Sequence, residues 1–208
     1  EQLVVVLVSG RVFIYDIHCK LVRDFSLMEV ELGSNPEPEA AANAAMARGG
    51  MIEVHFWPDG LVALCGDMQC IVAEGIANPD PERTDLYTMN TGLHPEKNAY
   101  TAMAIIPPAR SDSRLLEVML GTNDNSIVVV DRNDHEDQLL QDRIAAPITK
   151  IAVAPKGEYL ACYRRDGYLT VLSSAFTIKY VDVNTKSMHK PMDIVWCGDD
   201  AVVLQWKN

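Results

Sequence analysis

Cys65 and Cys70, with four residues between them, have the types and spacing that could do chemistry in this 208-residue chain. Zinc knuckles place two to four residues between paired thiolates, but a tetrahedral site needs two further ligands at matched spacing. Only His55 lies near, and no second pair follows, so both cysteines read as small apolar residues of a core or turn. The run Asp131-Arg132-Asn133-Asp134-His135 offers oxygens at the first and third positions of a calcium loop. It sets His135 at the fifth and lacks the glycine and the distal glutamate, so it reads as a solvated turn that blunts a sheet edge. His18, His55, His94, His135 and His189 are scattered, with no i, i+4 pair and no adjacent carboxylate to complete a relay. There is no Gly-X-Ser-X-Gly elbow and no glycine-rich phosphate loop. The expectation is therefore no enzyme: no catalytic, cofactor-binding or metal-ligating residues, and no cofactor.

The elements that would position such residues are strands. Ile148 to Val183 reads as four in a row: Ile148–Ala154, broken by Pro155-Lys156-Gly157; Glu158–Tyr163; Tyr168–Ser173; and Thr177–Val183, where Ile178, Tyr180 and Asp182 alternate with Lys179, Val181 and Val183. Asp166-Gly167 is the strongest two-residue hairpin signal, of the type I′ kind that needs positive φ at both central positions. Similar first strands begin near Met51, Tyr100, Ile148 and Met192, about 44 to 50 residues apart, close to the period of propeller blades. VVVLVSGRVFIYD, EVMLGTNDNSIVVVD and YLACYRRDGYLTVLS repeat the next two strands and their turn.

The fold class expected is all-β: a β-propeller of four-stranded antiparallel blades, present as a partial propeller of about four to five blades and roughly 17 strands. Blades stack into one continuous body. The blade segments are 1–27, 51–89, 100–144, 148–183 and 192–208. Within them, Trp57-Pro58-Asp59-Gly60 turns one hairpin, and Leu86–Met89 and a strand ending near Ile144 are outer strands. Residues 28–50 are a surface insertion, partly helical or disordered: Pro36 and Pro38 open it, Ala40–Arg48 favours helix, and Gly49-Gly50 stops it. The inner strands MIEVHF, TAMAII, ITKIAV and MDIVW are nearly all apolar, with Glu53, His55, Lys150 and Asp193 in no common register. A propeller hydrolase would need acids or histidines of several blades converging on one pocket.

The formal net charge of −11 argues against nucleic acid and anionic membrane as partners. Nothing basic clusters, and Arg164-Arg165 reads as solvated turn charge. Five cysteines, odd in number and without framework spacing, together with the lack of any glycosylation sequon, favour a reducing, cytosolic compartment. No apolar run approaches the roughly 18 residues of a membrane span, and no signal peptide leads the chain.

The closing segment is the most specific. PMDIVWCGDDAVVLQW, Pro191 to Trp206, carries Trp196-Cys197-Gly198, then Asp-Ala-Val-Val-Leu, then Trp206. With GRVFIYDIHCKLVRDFSL, Gly10 to Leu27, it resembles the vacuolar protein sorting-associated protein sixteen family, although Cys19 stands where a turn glycine is expected. The resemblance implies an amino-terminal propeller followed by a carboxyl-terminal α-solenoid, in a core subunit of the HOPS and CORVET tethering complexes. It further implies a cytoplasmic protein held peripherally on late endosomal and vacuolar or lysosomal membranes through its complex. The SM-type SNARE-binding subunit would be held by the solenoid, which lies outside this chain; a generic propeller scaffold of another cytosolic assembly would share the blades. Trp196, Cys197, Gly198, Trp206, Asp166 and Gly167 are the structural-motif residues. As a large anchor between blades, Trp196 is expected to cost roughly 3–5 kcal/mol on truncation to alanine.

Overall fold

The computed structural model describes residues 2–78, 80–139, 144–187 and 189–207. Seventeen strands account for about half of it, and every strand pairs antiparallel with a neighbour in sequence. First-position strands begin at Met51, Tyr100, Ile148 and Asp193, so the repeat spacing is a spacing of sheets. The chain divides into two compact units, residues 1–90 and 91–208.

The first unit holds a three-stranded sheet, β1 (Gln2–Val6), β2 (Arg11–Asp16) and β3 (Leu21–Ser26), and a four-stranded one, β4 (Met51–Trp57), β5 (Gly60–Cys65), β6 (Gln69–Glu74) and β7 (Asp85–Asn90). Side chains of a strand alternate between faces, and both sheets send one face into a shared cluster. Val12, Ile14 and Phe25 meet Leu61, Ala63, Cys65, Ile71 and Ala73 there. The stretch 28–50 joins that cluster instead of lying loose at the surface. It forms α1 (Glu29–Leu32) and α2 (Pro38–Ala47), with a proline suited to the first turn, and α2 buries Ala41 and Ala45. Two side-chain bonds close the turn ahead of α1: Met28 N–H donates to Ser26 Oγ and Ser26 N–H to Glu29 Oε1. A ten-residue helix is marginal alone; this one is held by packing and by its end. Asp67 N–H donates to the Arg48 carbonyl (2.8 Å) and Gly66 N–H to the Gly50 carbonyl (3.0 Å). The Arg48 guanidinium bonds Asp67 (2.8 Å) and also pairs with Glu31.

The second unit holds two four-stranded sheets and one pair. They are β8 (Tyr100–Ile106), β9 (Glu117–Thr122), β10 (Ser126–Val130) and β11 (His135–Leu139); β12 (Ile148–Val153), β13 (Tyr159–Arg164), β14 (Tyr168–Ser173) and β15 (Lys179–Asn184); and β16 (Asp193–Cys197) with β17 (Ala201–Gln205). Strand β13 shows why such sheets read as continuous apolar runs. Leu160 and Cys162 face the cluster containing Ala104, Met119 and Ile127, while Ala161 and Tyr163 face Ile194 and the second sheet pair. The acidic run 131–138 is only half a turn: its His135–Gln138 part is β-strand, paired with Ile127–Val130. Pairing across the sheet overrides the low strand propensity of that charged sequence; residues 140–143, in the expected course of this strand toward Ile144, lie outside the described residues.

One turn geometry recurs at six connections between consecutive strands. The amide of the fourth residue donates to the carbonyl of the first, at Leu7–Gly10, Asp16–Cys19, Cys65–Met68, Ala154–Gly157, Arg164–Gly167 and Ser173–Phe176. The fourth residue has positive φ each time, from 58° at Phe176 to 84° at Gly157 and Gly167. Asp166-Gly167 is therefore not a two-residue type I′ turn. The centre is Arg165-Asp166, and Gly167 alone takes the left-handed conformation, the three-residue hairpin pattern. The same geometry explains Cys19, which sits at φ 59° where glycine is strain-free. Two Asp16 side-chain bonds, from the amides of His18 (2.8 Å) and Lys20 (2.9 Å), hold that turn closed.

Candidate functional site

The closing motif ties β16–β17 to the sheet before it. Trp196 is half-buried: its Nε1–H donates to the Ala152 carbonyl (3.0 Å) and its ring stacks on Tyr159 at 6.2 Å. Tyr159 in turn meets Tyr180 edge-to-face at 5.3 Å, making an aromatic row that reaches the outer strand β15. Trp206 Nε1–H donates to the His189 carbonyl (2.9 Å), and its ring stands edge-on to Tyr163. Cys197 is exposed at the end of β16, and Gly198, at φ 68°, begins the turn to β17.

Asp166 belongs to an ion network. Arg164, buried apart from its rim, sends Nε and Nη2 to Asp166 (3.0 and 2.8 Å) and Nη1 to Asp182 (3.1 Å) and Thr170 (3.2 Å). Hydrogen bonding from Arg164 holds the Asp166 carboxyl below its usual range.

The cysteine pair gathers no ligand set around it among the described residues. All five cysteines are free; Cys65, Cys70 and Cys162 are buried, and Cys65 Sγ lies 3.6 Å from Met51 Sδ. Desolvation pushes the Cys65 thiol up to about 11 and Cys162 to about 12, and raises Cys70 as well. Among the described residues no group of three or more His, Cys, Asp or Glu could hold a metal ion. Two histidines do have carboxylates after all. His55 Nε2 lies 2.9 Å from Glu53 Oε1, because i, i+2 residues share a strand face, and His135 lies 3.8 Å from Asp134.

Pockets among the described residues differ in chemistry. In the first unit, Leu3, Val4, Phe56, Trp57, Pro58 and Ile76 line an apolar one of about 700 Å³. In the second unit, Glu117, Asp131, Asp134 and Glu136 surround an acidic one of about 510 Å³. Its acids all come from the β8–β11 sheet, and Asp131 is occupied by the backbone amides of Asn133 (2.6 Å) and Asp134 (2.9 Å). The third, about 450 Å³, is lined by Arg164, Arg165, His189 and Lys190 with Thr101 and Thr149. Basic residues thus do gather. The crossover from β15 to β16 is pinned to the Arg165 turn by Thr185, whose amide (3.0 Å) and hydroxyl (2.7 Å) donate to the Gly167 carbonyl. More than twenty residues separate Arg165 from His189 in sequence, so spacing alone gave no signal of the meeting.

The outer edge of β15 differs from the other surfaces. All six of its residues are exposed, including Tyr180, Val181 and Val183, so its apolar/polar alternation does not separate a core face from a solvent face.

Repeated four-stranded antiparallel sheets packed face against face within each unit define a β-propeller protein. Two solved propellers bear this out. The chain superimposes on Kluyvelomyces marxianus Hsv2 with a TM-score of 0.61, at 12% identity over 98% of this chain and 53% of that one. It superimposes on the Cps50 (Swd1) β-propeller domain of Myceliophteria thermophila with a TM-score of 0.50, at 14% identity over 83% of this chain and 48% of that one. The family model described as "Vps16, N-terminal region" matches residues 1–208, and the chain belongs to that family. A vacuolar protein sorting-associated protein 16 homolog of Dictyostelium discoideum is 27% identical across 100% of this chain. A probable vacuolar protein sorting-associated protein 16 homolog of Schizosaccharomyces pombe is 26% identical, and protein VACUOLELESS1 of Arabidopsis thaliana is 21% identical over 99% of the chain. The chain spans 23 to 24% of the length of these relatives. Two of these relatives are named for vacuolar protein sorting. No helix among the described residues is long and apolar enough to cross a membrane.

Proposed function

We propose that this chain is a non-catalytic interaction platform of a membrane-tethering complex of the HOPS and CORVET kind, acting in transport from endosome to vacuole or lysosome. The observation that carries the reading is the family match along the whole chain, with relatives named for vacuolar sorting. The chemistry of the surface supports it. The acids of the acidic pocket come from a single sheet, whereas β15 offers an unpaired, partly apolar edge beside the Tyr180–Tyr159–Trp196 row. An aromatic row that surfaces at a strand edge, as this one does at Tyr180, is a feature of protein contacts. The mechanism is geometric: stacked sheets hold loops and edges rigidly for other subunits, and the complex keeps the protein peripheral to late endosomal and vacuolar membranes. Binding of the SM-type subunit is assigned to a solenoid outside this chain.

Affinity isolation of the full-length parent under native conditions tests the role. Recovery of the other tethering subunits is expected, with loss of vacuolar cargo delivery when the parent is depleted. Isolation of a different assembly, with cargo delivery intact, would overturn it in favour of another propeller scaffold.

A further inference from the structure

The outer strands β11 and β15 end their sheets differently. β11 presents His135, Glu136, Asp137 and Gln138, the charged kind of edge that discourages pairing with another strand. β15 exposes Tyr180, Val181 and Val183, and its two charges are matched: Asp182 takes Arg164 (3.1 Å) and Lys179 (3.2 Å). Two apolar rows run outward across the sheet and stop at this strand. Ala161, Val171 and Val181 stand opposite one another on β13, β14 and β15, as do Tyr163, Leu169 and Val183. Along the first row exposure rises from 0% through 8% to 39%. The main chain is open at the same place. Thr185 N–H donates to the Gly167 carbonyl (3.0 Å), so the alternation of an antiparallel ladder turns the amides and carbonyls of Asp182 and Asn184 away from β14. Charge marks the Thr185 end. Lys186 and Arg165 are exposed there and make no ion pair among the described residues. Residues 177–190 hold three lysines against one aspartate, in a chain of net charge −11.

We propose that β15 accepts, as a fifth antiparallel strand, an extended segment of a partner protein in which acidic residues precede two alternating aliphatic side chains. Side chains two apart share a strand face, so the aliphatic pair continues the rows that end at Val181 and Val183. The partner's main chain completes the ladder at Asp182 and Asn184. An antiparallel strand runs back along β15, which places its leading acids against Lys186 and Arg165. A second copy of β15 would offer lysines where acids are called for, and like charges opposed across a sheet destabilise it. This inference rests on the reading of the chain as an interaction platform and names the kind of segment that its β15 edge takes.

The test is an NMR titration of the 208-residue chain with the blocked peptide Glu-Glu-Thr-Val-Thr-Val-Thr. Saturable shifts are expected at the Asp182 and Asn184 amides and the Val181 and Val183 methyls. A peptide with proline between its valines should give none, and one with lysines in place of its glutamates should bind roughly two- to fivefold more weakly. Asn184→Pro should abolish binding while keeping the fold, because it removes an outward amide and no bond to β14; thermal unfolding is followed in parallel. If that variant is unfolded, Val183→Lys, at an exposed position, takes its place and should weaken binding in the same direction. Shifts that are absent, retained with the proline peptide, or unchanged in the variant overturn the proposal. So does a dimer in sedimentation equilibrium that Val183→Lys dissociates, which would give the edge to a second copy. Such an outcome with the tethering subunits still recovered leaves the platform standing without this edge. Peptide binding with a different assembly recovered strikes the tethering role and leaves the edge.

Discussion

Strands β5 and β17 have similar sequences and opposite fates. GLVALC is buried at every residue, while AVVLQ alternates between exposed and half-buried. On one face of β5, Leu61, Ala63 and Cys65 meet β2 and the two alanines of α2, and on the other Val62 and Leu64 are equally buried. On β17, Val202 and Leu204 lie against the neighbouring sheet, but Val203 is 50% exposed, directly opposite an equally bare Val195. Apolar content therefore marks both as propeller strands, and the number of layers over them decides how much each stabilises.

Leu61→Ala should show the largest effect, about 2–5 kcal/mol in urea unfolding, because a fully enclosed side chain leaves a cavity. Trp196→Ala should cost about 1–3 kcal/mol, less than the roughly 3–5 kcal/mol of an enclosed aromatic, since its ring is only half-covered. A Trp196 loss as large as that of Leu61 would break the comparison. Gly49→Ala sharpens it from the side of the covering helix. Gly49 has φ 80°, and an added Cβ would stand 2.9 Å from Gly66 Cα, so the helix must shift from its seat. About 1–3 kcal/mol is expected, together with faster proteolysis between residues 33 and 49.

The thiols report on the same contrast. Cys19 and Cys197 should react with a thiol reagent in the folded chain, and Cys65, Cys70 and Cys162 only after unfolding. Because burial raises Cys65 to about 11, its contribution is complete below the unfolded thiol value near 8.5. It declines as pH rises from there toward 11, since only the unfolded state ionises in that window. A Cys65→Ala variant should show a flatter alkaline limb. The smallest effect belongs to Val203→Ala, within about 0.5 kcal/mol as for surface positions generally; a cost matching Leu61 would mean that both faces of β17 are covered in solution.

The periodic recurrence of apolar strands and short turns was enough to read the sheets, since a four-stranded meander on tight turns leaves no room for anything else. The motif from Trp196 to Trp206 was enough to place the family. The helical insertion was legible as helix but not as core, because its alanines carry no amphipathic signal strong enough to announce burial. The acidic run 131–138 hid a strand edge, and Arg165 with Lys190 hid a pocket, because pairing and crossover geometry bring together residues distant in sequence. Local pattern by itself determined strand, turn and family, through side-chain alternation and backbone preference. Only the tertiary structure decided which apolar faces are covered, which hairpin residue takes the left-handed conformation, and which charges meet, because each depends on what a second element places across the gap.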